Sequence, residues 1–214
     1  MATQNRLGSR PWGFESPLRH HNAHPYITTS VIDRPPGDTP AKVPDSKVET
    51  VVTTTRIQDL IRSYAAGPDL LEAAIRDIPE EELRFTPGPE HWSIYENVVH
   101  VADAELVHAT RMRFVLAEPG ATLLSFDQTR WARALDYRLH PLPDALVLFR
   151  AIVTSTADVL RRAPGEAWEQ AGTYTEYGRQ TLEQLVKDYA DHVPYHLRTI
   201  AKRRAQHAQA RRSR

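Results

Sequence analysis

From residue 54 onward, apolar side chains recur at helical spacing in four long runs. Ile57, Leu60, Ile61 and Tyr64, then Leu71, Ala74, Ile75 and Ile78, predict a first helix over 54–78. Gly67-Pro68 interrupts it and predicts a kink or short break. Pro79 and three glutamates follow, then a turn-rich stretch with Pro87, Gly88 and Pro89. Ser93-Ile94-Tyr95-Glu96 fits a capping box, in which the serine hydroxyl accepts from a backbone N–H and the glutamate reaches back. The second helix therefore starts there, runs to about Leu116 and stops at Pro119-Gly120. Leu146, Phe149, Val153, Thr156 and Leu160 form the inner stripe of a third helix over 143–162, closed by Pro164-Gly165. A second capping box, Thr181 to Gln184, opens a fourth helix that runs to about Arg204. Leu182, Leu185, Tyr189, His192, His196 and Ile200 lie near one face of it.

The long link between the second and third helices carries a short helical pattern over 126–137, anchored by Trp131 and broken by Pro141 and Pro143. Alternating Tyr and Thr between Trp168 and Arg179 predict a small hairpin. The pattern as a whole predicts an all-α fold, an up-down four-helix bundle with a long crossover between helices 2 and 3. The domain spans 53–205, and the basic segment 206–214 reads as a solvated, fraying tail.

Residues 1–52 break the pattern. They are rich in Pro, Gly, Ser, Thr and Arg, hold no sustained period and read as disordered. Gly13-Phe14-Glu15-Ser16 can be encoded by a stretch resembling the T-arm of a bacterial transfer-RNA gene, and Arg19-His20-His21 by one ending in CCA. The expectation is a start placed too far upstream, with the true one near Val43, Val48 or Val51; no methionine follows Met1 until Met112. The alternative is a genuine basic arm or leader. DNA upstream of codon 50 that cannot fold as a transfer RNA would exclude the misplaced start.

Composition narrows the chemistry. The 214 residues are 41% hydrophobic and 25% charged with zero formal net charge, so no global field attracts nucleic acid or an anionic membrane. Without cysteine there is no disulfide, thiolate ligand or thiol nucleophile, and any metal must be held by His, Asp or Glu. No run approaches the ~20 apolar residues of a membrane span, and no apolar leader is evident; the expected location is the cytoplasm.

His192 and His196 are one turn apart on the fourth helix, a spacing that suits two ligands on one metal. His100 falls on the inward stripe of the second helix, so the three can converge in a bundle core. A buried imidazole without a partner is costly, and a metal is a good partner for three. The plainer alternative is three core histidines satisfied separately. The other histidines fit less well: His108 lies two turns past His100 and off its face, and His207 lies in the tail. Pro194, between the paired histidines, either bends the helix or restarts it.

Trp92-Ser93, Glu96-x-x-x-His100-x-x-x-Ala104-Glu105, Phe126-Asp127, Trp131-Ala132, Thr181-Leu182 and His192-Val-Pro-Tyr-His196-Leu197 together resemble the DinB family of four-helix bundle proteins, over about Arg56 to Ala201. That family includes metal-dependent hydrolases and thiol-dependent transferases. The resemblance implies one divalent metal on His100, His192 and His196, and homodimers. Many members carry a further His where Tyr195 stands. The implied function is a metal-dependent hydrolase of a small-molecule substrate, acting through a metal-bound water whose pKa falls to roughly 7. The alternatives are a thiol S-transferase using a metal-bound thiolate and a non-catalytic stress or binding protein with a structural metal. Three imidazoles favour zinc or nickel, with iron or manganese as further candidates. Glu96 and Asp103 flank His100 by one turn and Asp188 precedes His192 by one; each is a candidate for proton transfer or for orienting a ligand. Tyr95, Trp131 and Tyr195 are candidate pocket walls.

Overall fold

A computed structural model describes residues 45–213 apart from 175, with side chains from 55 onward. Most of the segment read as disordered, including the proposed transfer-RNA resemblance, lies outside the described residues. Residues 45–52 do not follow that reading: they belong to α1 (Asp45–Ala65), which starts well before the apolar stripe does. The break at Gly67-Pro68 is present. α1 ends at Ala65, and α2 (Gly67–Ile75) places Pro68 in its first turn, where a missing N–H costs nothing. Gly67 is also where α2 passes close to its neighbours; an added Cβ would lie 3.3 Å from Val193 and 3.4 Å from Phe149.

After the short α3 (Glu80–Arg84), α4 (Ile94–Ala117) begins at the expected capping box: Ser93 Oγ accepts from Glu96 N, and the Glu96 carboxylate accepts from Ser93 N. α6 (Leu142–Arg162) and α7 (Leu182–Arg212) complete a bundle with α1. α1 and α4 each pack against both α6 and α7, so they face one another across the core. α4 packs against α3, α6 and α7. Val98, Val99, Val101, Ala102, Met112 and Val115 are buried on several sides of it, as expected of a helix enclosed by others. Among the described residues no helix is long and apolar enough to cross a membrane.

The link between α4 and α6 carries β1 (Thr122–Leu123) and α5 (Gln128–Ala134), the latter capped by Asp127. Beyond α6, β2 (Ala171–Tyr174) and β3 (Gly178–Thr181) form the predicted hairpin. The third strand of this sheet is absent from the sequence reading. β1 pairs in parallel with β2, placing Thr122 opposite Thr173 and tying the crossover to the base of α7. Two residues of pairing are too short for an alternating pattern to show.

α7 differs from expectation at two places. It runs through Pro194 without restarting. It also continues to Arg212, so the segment read as a fraying tail is helical. Arg203 and His207, one turn apart, are both buried. Arg203 Nε donates to the Trp92 carbonyl at 2.8 Å, and the His207 ring packs against Phe85 with centroids 5.1 Å apart. The Ala-, Gln- and Arg-rich sequence favours helix, and these contacts hold its end against the α3–α4 link.

The β1–β2 contact predicts an asymmetry between two glycines. A Cβ at Gly172 would sit 2.6 Å from Leu123 Cγ, whereas one at Gly165 would meet nothing within 4 Å. Gly172→Ala should therefore destabilise by about 1–3 kcal/mol and Gly165→Ala by far less, both read from urea melts. Equal midpoints for the two variants would contradict the packing described.

Candidate metal centre

His100, in the second turn of α4, is only 1% exposed, and among the described residues neither of its ring nitrogens has a hydrogen-bond partner. An orphaned buried polar group costs about 1–3 kcal/mol, so this ring calls for a partner that the described residues do not supply. The Trp92 ring packs against it at 4.8 Å, and the rings of His196 and His192 lie at 5.0 and 5.4 Å. The Nε2 atoms of His192 and His196 are 3.1 Å apart, and one ligand nitrogen from each of the three residues lies within 4.8 Å of the others. Among the described residues, no Asp or Glu joins this group.

The orientation of His196 can be read from its partners. Asn97, 1% exposed and one turn before His100, donates from Nδ2 to the Ser93 carbonyl at 2.7 Å. A carbonyl only accepts, so the amide oxygen of Asn97 faces the other way. There it accepts from His196 Nδ1 at 2.9 Å. With its proton on Nδ1, His196 presents a lone pair at Nε2, towards His192 and His100. Asn97 was not singled out in the sequence. A polar residue one turn inside a cap and in the midst of a buried apolar run is the signal that could have found it.

Burial is the first cause holding all three imidazoles well below the ordinary histidine pKa. For His196 the neighbouring His192, His100 and His108 add to it, for His100 His192 and His108, and for His192 His108. Each is therefore neutral near pH 7, the state that offers a lone pair. His192 as a whole retains partial exposure although its ring is desolvated. Neutral rings, the orphaned nitrogens of His100 and the convergence of all three residues fit a divalent metal of the borderline class, such as zinc or nickel.

The other candidates are dispersed. Glu96 closes the capping box, with its Oε2 also 2.8 Å from Ser93 Oγ. Asp103 accepts from the Tyr137 hydroxyl at 2.5 Å, and the Tyr137 ring lies 6.4 Å from His100. Asp188 is half-buried one turn before His192. Of the aromatic residues, Tyr195 lies against His196 at 5.2 Å. Tyr95 instead donates to the His140 carbonyl, and Trp131 packs on Phe126. Trp92 and Tyr137 take the wall positions nearest His100.

His108 does not sit apart as the helical-face argument implied. It is 6% exposed, and its ring centroid is 5.0 Å from that of His192. Eight residues rotate a side chain by only about 80° from His100, and on a helix enclosed on most sides that direction still points inward.

These shifts set a pH dependence for the metal-free protein. His100, His108, His192 and His196 all have folded-state pKa values below their unfolded ones. The unfolded chain therefore binds more protons below about pH 6.5, and stability present above that pH is lost on acidification. Glu105, raised by burial from 4.5 to about 8, works the opposite way and offsets one of these protons. The metal-free protein should melt progressively lower from pH 7 to pH 5, losing roughly 1.4 kcal/mol per pH unit for each net proton taken up. A melting temperature that holds or rises over that range would contradict the burial of neutral imidazoles.

Known proteins share this arrangement of chain. YfiT from Bacillus subtilis, whose structure is described as "a probable metal-dependent hydrolase with an unusual four-helix bundle topology", superposes with a TM-score of 0.66 at 16% identity, over 80% of this chain and 94% of that one. Among sequence relatives, "Putative metal-dependent hydrolase BH0277" of Halalkalibacterium halodurans is 25% identical over 67% of this chain and 84% of its own. "Putative metal-dependent hydrolase OB0782" of Oceanobacillus iheyensis is 24% identical over 70% of this chain and 86% of its own. The profile of the DinB superfamily matches residues 63–200, from the end of α1 to the middle of α7 and across all three histidines. The chain belongs to the DinB superfamily.

Proposed function

We propose that this protein is a metal-dependent hydrolase of a small molecule, with one divalent ion held by His100, His192 and His196. The observation that carries the reading is His100: a fully buried imidazole, both nitrogens unpartnered among the described residues, facing two further imidazoles whose Nε2 atoms converge. The names of the relatives, metal-dependent hydrolases, support the same class. Bound there, the metal would act as a Lewis acid and bring the pKa of a coordinated water to roughly 7.

The chain's own residues divide the remaining work. Three neutral ligands leave the ion its full charge, and the absence of a carboxylate from the group leaves coordination positions for water and substrate. Asn97 fixes the tautomer of His196 and is itself fixed by Ser93, so the cap of α4 reaches the ligand through two hydrogen bonds. Glu96 serves that cap. We assign proton transfer to Asp103 together with Tyr137, a carboxylate and a phenol in direct hydrogen bond beside His100.

Untagged protein should contain close to one equivalent of divalent metal by elemental analysis. His100→Ala, His192→Ala and His196→Ala should each abolish stoichiometric binding, and Asn97→Ala should weaken it by about 10–100-fold. Wild-type protein that neither carries nor takes up an equivalent of zinc or nickel would remove the metal reading. Asp103→Asn should keep the metal but slow hydrolysis of any ester or amide the loaded protein cleaves by about 10²-fold or more; unchanged turnover would reassign the proton. A loaded protein that instead conjugates thiols to electrophiles, without hydrolysis, would replace hydrolase by transferase.

A further inference from the structure

Two of the three proposed ligands have an evident holder. His196 is bonded to Asn97, and His100 is packed under Trp92. Against the third, His192, stands an imidazole that the metal reading does not use. The His108 ring meets His192 nearly at right angles, at 77° with centroids 5.0 Å apart. Its other side lies flat on Tyr189, at 3.8 Å and 6°. Tyr189 is one turn before His192 on α7, so a ring from α4 is wedged between two successive inward positions of α7. Tyr189 is braced in turn, its hydroxyl 2.9 Å from that of Tyr174 on β2.

Behind His108 is a buried polar chain. Glu105, 2% exposed, is one turn earlier on α4, and its Oε2 lies 3.5 Å from His108 Nδ1, a buried atom with no closer partner. Tyr64, reaching across the core from α1, donates its hydroxyl to Glu105 Oε1. Burial pushes the Glu105 carboxyl up to about 8, so it carries a proton at neutral pH. Oε1 already accepts from Tyr64, which leaves the acid proton to Oε2 and makes His108 Nδ1 its natural acceptor. Tyr64, Glu105 and His108 thus stand in line from α1 through α4 to the ring of His192 on α7, with Glu105 Oε2 facing His108 Nδ1 at 3.5 Å.

We propose that His108, anchored by Glu105 and Tyr64, is a positioning residue that sets the ring plane of His192 and thereby the geometry and affinity of the metal centre. The proposal rests on the reading of His100, His192 and His196 as that centre. Fixing a ligand ring before the metal arrives removes part of the ordering cost of binding, and loss of such outer support typically weakens a metal by about 10–100-fold.

The test is a cobalt(II) titration of the full, untagged chain against a competing chelator, reading both the dissociation constant and the d–d absorption bands. Metal-free melts are run alongside. His108→Ala should weaken cobalt binding by about 10–100-fold and shift the d–d bands. Glu105→Leu, which removes the anchor and leaves the ring, should weaken binding in the same direction. Glu105→Gln keeps the shape of the protonated acid and a donor for Nδ1, and should stay within about 3-fold of wild type with an unchanged spectrum. A merely structural role would lower the metal-free melting temperature and leave affinity and spectrum alone. If His108→Ala does not fold, the Glu105→Leu and Glu105→Gln pair decides. Wild-type cobalt binding with no change in the variants overturns this proposal and leaves the metal reading intact. Failure of the wild type to bind cobalt or zinc overturns both.

Discussion

A bundle core excludes water, and an imidazole placed there loses the solvent that would satisfy its two nitrogens. This chain places His100, His108 and His196 in the core, together with the ring of His192, within one region between α4 and α7. Much of the surrounding architecture accommodates that burden. Asn97 takes one nitrogen of His196, Glu105 faces one of His108, and among the described residues none takes either nitrogen of His100. The residual cost falls where three rings converge, and desolvation keeps those rings neutral. A site that destabilises the metal-free fold is poised to be stabilised by whatever binds it, since ligand affinity adds to folding free energy by mass action.

The positioning of the three converging histidines depends on features far apart in sequence. The capping box at Ser93 starts α4 and orients Asn97; the second box, at Thr181, starts α7 eleven residues before His192. Both ends of the machinery are thus fixed by local backbone chemistry, and packing of α4 against α7 brings them together. The parallel pairing of β1 with β2 ties the crossover to the hairpin preceding α7, and Tyr174 of that hairpin meets Tyr189. Support for the site therefore comes from α1, α4, α7 and the small sheet.

Long periodic runs and caps were legible in the sequence because they are local. The starts of α4 and α7, the break at Gly67-Pro68, the hairpin and the convergence of His100 with His192 and His196 follow from spacing and turn chemistry. The length of α7 was underestimated because nothing local marks Arg203 and His207 as buried. Their burial depends on a carbonyl at residue 92 and a ring at residue 85, which no local pattern reveals. β1 was missed because two residues of parallel pairing carry no period. Asn97, Glu105 and His108 were given no part in the site for a shared reason. A face argument assumes a helix with one wet side, and α4 is enclosed on most sides, so polar residues at several angles all point into the core.

The central claim is geometric, and diffraction from crystals grown with zinc or nickel, recorded at the absorption edge of the metal, tests it most directly. The account predicts one anomalous peak between α4 and α7, about 2.0–2.1 Å from a nitrogen of each of His100, His192 and His196. No Asp or Glu should fall within bonding distance of that peak. A peak elsewhere, a fourth protein ligand closing the site, or no peak in protein that retains its fold would contradict the account.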